Sequence, residues 1–222
     1  MSRGQLSQTQ KSRRPYRSTR RQAQARQTRH QILAAARQLF IEKGYNGATI
    51  EAIAHQAGVA QETIFAVFGN KRSLLSTLVD VAVGGDELPV ALLERPGPQK
   101  VLRQREPGQQ LQMFAADIAG ILERVAPLFE VLRMAAKTEA DIAELLQNLL
   151  TERMRNMEVF VGQLAAHSSL RQGLDATQAA EIVWGITSPE IYNLFTVDRG
   201  WSKEKYVAWL GDALVQLLLP AH

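Results

Sequence analysis

The twenty residues TIEAIAHQAGVAQETIFAVF, 49–68, hold two short helical patterns with a glycine between them. Ile50, Ile53, Ala54 and Ala57 recur at the three-to-four-residue spacing of one helix face. Ile64, Val67 and Phe68 repeat it after Gly58. A chain that ends one amphipathic helix at a glycine and restarts at once must set the second helix at a steep angle to the first. Gln61, Glu62 and Thr63 place polar groups at the restart. This order of elements is that of a helix-turn-helix, in which the second helix enters a major groove while the first crosses the phosphate backbone. An ordinary helical corner inside a bundle has the same local pattern, so the motif alone leaves both readings open.

Charge separates them further. Residues 1–41 carry ten of the 26 Lys and Arg and no Asp or Glu, which leaves 16 basic against 22 acidic residues beyond. A basic end on an acidic body directs positive charge toward a polyanion, and each neutralised phosphate releases counterions. Residues 1–27 are rich in Arg, Gln and Ser and have little to bury, so they are expected to be a disordered arm. A solubilising tail is the plain alternative. No window of eighteen apolar residues and no signal-peptide core are present, which points to a cytoplasmic protein, nucleoid-associated when bound. With no cysteine in 222 residues, disulfides, thiolate metal sites and cysteine nucleophiles are excluded.

Nothing in the chain alternates with period two, so the expected fold is all-α, with about nine helices. The first helix is expected at 28–43, capped by Thr28 and stopped by Gly44, with Ile32, Leu33, Ala36, Leu39 and Phe40 on one face. Thr49 caps the second helix, Ala60 opens the third, and Asn70 caps a fourth that stops at Gly84-Gly85. Residues 84–108 are rich in proline and glycine and read as a mobile connection with a short apolar turn at 90–93. Further helices are expected near 109–124, 127–136, 138–167, 175–199 and 203–219. Pro127 is expected to break the pattern, and Pro189 to kink or split the helix that holds it.

Residues 28–75 resemble the DNA-binding domain of the tetracycline-repressor (TetR) family. The matching pieces are ILAAARQLF, KGYNGATI, IAHQAGVAQETIF and the closing F-x-N-K-x-x-LL. The end of the chain, from WGITSPEIYNLF onward, is similar to that of many family members. The resemblance implies three parts: the arm at 1–27, a three-helix DNA-binding domain at 28–75, and a larger helical ligand-binding and dimerisation domain at 76–222. It implies a homodimeric, ligand-responsive transcriptional regulator, usually a repressor, released from a near-palindromic operator by a small-molecule inducer. Two reading helices would then lie one helical turn apart, roughly 34–36 Å.

Carried over position by position, Thr49 matches a cap that also touches a phosphate, and Lys71 matches the lysine that pairs with the backbone. Ala60, Gln61, Glu62, Thr63, Phe65, Ala66 and Val67 match the positions that face DNA. Gln61 suits adenine N6 and N7, Glu62 a cytosine amino group, and Ala66 a thymine methyl. The chain departs from the family at two of these places. Phe65 stands where tyrosine is usual and lacks a phenolic hydroxyl, and Ala60 stands where serine or threonine is common. Arg26 and Arg29, at the start of the first helix, are expected within reach of phosphate or minor groove.

Soft or aromatic residues that could line an inducer site are Met113, Phe114, Met134, Met157, Phe160, Trp184, Tyr192 and Asn193. The same spacing also describes an ordinary core. The dimer is expected to pair the last two helices, with Leu210, Leu214, Leu217 and Leu218 as a seam beside Ile182, Ile186, Ile191 and Leu194. No cofactor and no metal site is read. His30, His55, His167 and His222 are scattered, and no phosphate loop, nucleophile elbow or His-Glu-x-x-His occurs. An enzyme is therefore not expected. A non-specific basic DNA-coating protein would explain the arm but not the polar face at 61–63.

Overall fold

A computed structural model describes residues 14–221. Among them the chain is helical throughout, with no strand. The α-helices run α1 Arg14–Gly47, α2 Ile50–Ala57, α3 Gln61–Phe68, α4 Lys71–Gly84, α5 Pro96–Arg103, α6 Pro107–Ala135, α7 Ala140–Ala165, α8 Ala176–Ile186, α9 Pro189–Asn193 and α10 Lys203–Leu218. A 3₁₀ turn at Leu92–Glu94 precedes α5, and α9 runs into a π turn at Leu194–Asp198.

The ends of the short helices follow from local chemistry. Gly44 leaves helical geometry at φ 68 and closes the regular part of α1. Thr49 Oγ1 accepts from the Ala52 amide at 3.1 Å, and Asn70 Oδ1 accepts from the Ser73 amide at 2.8 Å. Asp175 and Gln178 form a reciprocal capping box on α8, and Ser202 caps α10.

Three sequence expectations are corrected. The first helix begins at Arg14, not at 28, so residues 14–27 of the expected disordered arm are helical; residues 1–13 lie outside the described residues. Residues 20–27 are all exposed, so no packing holds them. They extend a helix already anchored by Ile32, Leu33 and Phe40, and extension avoids the nucleation cost for Arg-, Gln- and Ala-rich sequence. Pro127 does not break the chain. It lies inside α6, where it removes one hydrogen bond while Leu122, Val125, Ala126, Leu128 and Phe129 bury both flanks. Pro189, by contrast, splits its helix as expected, because Ser188 caps a new start directly before it.

The third correction concerns 84–108, read as a mobile connection. Arg95, only 9% exposed, ties the segment down: Nη1 donates to Gly84 O (2.8 Å) and Asp86 Oδ1 (3.0 Å), Nη2 to Leu88 O (3.0 Å), and Nε to Val90 O (3.2 Å). Arg124 of α6 takes two more carbonyls at the end of α4, Ala82 O at 2.7 Å and Val83 O at 3.2 Å. Two guanidiniums thus satisfy the orphan carbonyls of the α4 C-terminus, where the helix dipole favours positive charge. Arg95→Ala is expected to cost about 2 kcal/mol of stability in chemical denaturation, because the carbonyls of Gly84, Leu88 and Val90 and the Asp86 carboxylate lose a shared, largely buried donor; a loss below about 0.5 kcal/mol would mean that water replaces it freely.

α6 organises the fold. It packs against α1 and α4 on one side and against α7, α9 and α10 on the other, and one continuous core runs from Ile32 to Leu218.

Candidate functional site

The turn between α2 and α3 is a Schellman motif. Gly58, at φ 67 and ψ 34, donates its amide to His55 O (3.2 Å), and the Val59 amide donates to Ala54 O (3.0 Å). Only a residue without Cβ takes that left-handed conformation cheaply. α3 then starts at Gln61 behind Ala60, which makes no side-chain cap, so the helix start keeps donors for an anion.

Ile64 and Phe68 turn inward and anchor α3 on the core. Gln61, Glu62, Phe65, Ala66 and Val67 are exposed, and Thr63 is half-buried. Phe65 is 48% exposed and Val67 40%, so the outer face of an eight-residue helix presents apolar surface beside polar groups. Such a face suits contact with sugars and base methyls next to hydrogen-bonding edges. Thr49 is exposed, and its hydroxyl accepts from Ala52 while keeping its own proton to donate. Lys71 holds its Nζ 4.2 Å from the centre of the Tyr45 ring, and that ring stacks on Phe40 at 5.8 Å. Burial lowers the Lys71 ammonium pKa and pushes the Tyr45 hydroxyl up to about 12, so the phenol stays neutral at physiological pH.

Arg29, expected near phosphate, is turned to the body instead. Its guanidinium lies 4.7 Å from the Phe68 ring centre, and Nε donates to Glu87 Oε2 at 3.0 Å. His30 Nδ1 lies 3.3 Å from the other Glu87 oxygen. Glu87 belongs to the segment after α4, so α1 is joined to that segment by a charged contact that sequence reading missed. Arg20, Arg21 and Arg26 remain exposed along the extension of α1.

Behind α4 lies a cavity of about 500 Å³. α4 contributes Val79, Asp80 and Val83; α6 contributes Ile118, Leu122, Val125 and Phe129; α7 contributes Glu152, Arg153, Asn156 and Met157; Pro189 and the segment 86–92 close it. Leu88 and Val90, 63% and 40% exposed, are apolar residues of that segment. Of the residues expected to line an inducer site, Met157 alone is among those walls. Phe114 and Phe160 stack on one another at 4.0 Å within the core, and Tyr192 meets Tyr206 edge-on at 5.0 Å. Met134 is 61% exposed at the end of α6, while Met113, Trp184 and Asn193 are partly buried and do not line the cavity.

Trp184 has a structural part beside the cavity. The α8–α9 break frees its carbonyl, which accepts from Arg153 Nη2; the same Nη2 donates to Thr187 Oγ1 at 3.0 Å. The guanidinium also lies 5.0 Å from the Trp184 ring centre. Burial lowers the Arg153 pKa to about 10, opposed by Glu190, so it remains charged at neutral pH. Burial, together with the neighbouring Glu152, raises the Asp80 carboxyl pKa. Asp80, Glu87, Arg95, Glu152 and Arg153 follow no motif, and their roles exist only through tertiary placement.

Residues 32–78 match the sequence profile of the bacterial regulatory proteins of the tetR family. The chain belongs to the TetR family. It is 29% identical over 170 residues to the HTH-type transcriptional repressor BepR of Brucella suis, covering 74% of this chain and 78% of that protein. It is 31% identical over 156 residues to the HTH-type transcriptional regulator TcmR of Streptomyces glaucescens, covering 70% and 65%. The fold is that of the transcriptional regulator FadR of Bacillus subtilis, solved with stearoyl-CoA (TM-score 0.66, 21% identity, 87% of this chain and 99% of that one). It is also that of NalD, the secondary repressor of the MexAB-OprM multidrug efflux pump in Pseudomonas aeruginosa (TM-score 0.65, 19% identity, 88% and 98%). This TetR-family chain is a DNA-binding transcriptional regulator. Among its described residues no helix is long and apolar enough to cross a membrane.

Proposed function

We propose that this TetR-family regulator is a cytoplasmic homodimeric repressor, nucleoid-associated when bound, that reads a near-palindromic operator with α3 and leaves it when a small molecule enters the cavity behind α4. The observation that carries the reading is the double position of α4: it packs against α1 and α3 on one side and walls the cavity on the other. An occupant that favours a shifted α4 would change the placement of α3, and its differential affinity for the two arrangements would set the size of the response. The chain divides, in this reading, into a DNA-binding unit at 28–75 and an effector and dimer unit at 76–222, with α4 running across the boundary and the α1 extension adding basic charge on the DNA side. In this reading Thr49, Lys71 and the amides at the start of α3 serve phosphates. Gln61, Glu62, Thr63, Phe65, Ala66 and Val67 face the bases.

The test is a footprint of the purified protein on DNA upstream of its own gene at about 150 mM salt, where non-specific binding is weak. A discrete, near-palindromic protected site is the expected outcome, and uniform weak protection would instead favour sequence-independent coating by the basic helix.

The dimer seam drawn from sequence needs correction. Leu210, Leu214 and Leu218 are fully buried within the monomer, where α10 packs on α6, so they are not free to pair with a second copy. The apolar side chains left outward near the last helices are Leu194, 54% exposed, and Val197, 70% exposed, with Ile182, Ile186, Ile191 and Leu217 half-buried. These form the proposed contact, and exposed apolar surface of this kind marks an interface. Leu194→Asp/Val197→Asp is expected to convert dimer to monomer in light scattering at micromolar concentration while the melting temperature changes little. A dimer that persists would place the interface elsewhere.

A further inference from the structure

The cavity wall carries charge of both signs, but the positive groups are already engaged. Arg29 is held by Glu87 at 3.0 Å. Arg95 is held by Asp86 at 3.0 Å and by three carbonyls. Arg153 donates to the Trp184 carbonyl and to Thr187. Two carboxylates remain, Asp80 on α4 and Glu152 on α7. Among the described residues neither forms an ion pair or a side-chain hydrogen bond with the protein. They are close enough for Glu152 to oppose ionisation of Asp80. Both line the cavity and are solvent-exposed.

A guest changes that balance. It displaces water from walls that are otherwise largely apolar, among them Ile118, Leu122, Val125 and Phe129. A neutral or anionic guest would remove part of the hydration of two carboxylates without replacing it, and taking water from an unpaired charge is costly. A cationic head replaces the lost water with charge-assisted contacts. We infer that the effector is a lipophilic organic cation, its charged head between Asp80 and Glu152 and its apolar body against α6. A volume of about 500 Å³ suits a drug-sized molecule. Because Asp80 lies on α4, the charged contact would act on the helix that follows the reading head. This inference rests on the effector reading of the cavity, and one titration separates the two.

The full chain would be titrated calorimetrically with decyltrimethylammonium, decanoate and 1-decanol, below micelle formation, so that the tail is constant and only the head varies. The cation is expected to bind about tenfold or more tighter than the carboxylate, a modest effect for two partly solvated charges. The Asp80→Asn/Glu152→Gln variant, checked by its melting temperature, should lose that preference while binding 1-decanol like the unaltered protein. Equal or tighter binding of decanoate, or a cation preference that survives both substitutions, would overturn the inference and leave the effector cavity standing. Failure of all three probes to bind would overturn the cavity reading itself.

Discussion

Phe40→Ala is expected to lower the unfolding free energy by about 3–5 kcal/mol, the range for deleting a buried aromatic ring. Phe40 is fully buried near the end of α1 and stacks on Tyr45, whose ring in turn carries Lys71. At this end of the continuous core Ile32, Leu39, Ile53 and Ile64 are themselves buried, so few neighbours can move in to fill the space. Loss of the ring should therefore loosen the platform on which α3 stands and weaken DNA binding as well. Chemical denaturation monitored by circular dichroism measures the effect. A loss below about 1.5 kcal/mol would show that the three-helix core repacks around the gap.

The second large effect belongs to the reading face. The Gln61→Ala/Thr63→Ala double variant is expected to bind its footprinted site about a hundredfold or more weaker, since a good base contact is worth about 1–3 kcal/mol and each protomer of a dimer loses its own. Stability should change little, because Gln61 is exposed, Thr63 only half-buried, and alanine is a strong helix former. Affinity for unrelated DNA should stay near that of the unaltered protein, because phosphate contacts by basic residues and helix-start amides remain. Anisotropy titrations on specific and scrambled duplexes at one salt concentration give both numbers. Equal losses on the two duplexes would mean that these side chains touch backbone and carry no sequence information.

Features that depend on a few neighbouring residues were legible in the chain. The caps at Thr49, Asn70 and Ser202, the turn at Gly58 and the split before Pro189 each arise from one side chain or one glycine acting within about four residues. Local rules also misled where packing outweighed them. Pro127 satisfies every criterion of a helix breaker, yet burial on both flanks is worth more than one missing hydrogen bond. Residues 14–27 have the composition of a disordered arm, but they adjoin an anchored helix and are also good helix formers.

By itself, then, the sequence determined an all-α chain and a helix-turn-helix pattern at 49–68, because helical periodicity and capping are short-range, and the resemblance of residues 28–75 to a known domain supplied the family. Tertiary structure alone decided which apolar stripes became core. It buried Leu210, Leu214 and Leu218 within the monomer and left Leu194 and Val197 outside. It likewise decided which charges are spent and which are free. Arg29 and Glu87 meet across 58 positions, whereas Asp80 and Glu152 reach the same cavity without a counter-ion among the described residues. Side-chain identity sets what a residue can bind; only the packing of distant helices sets whether its partner is already there.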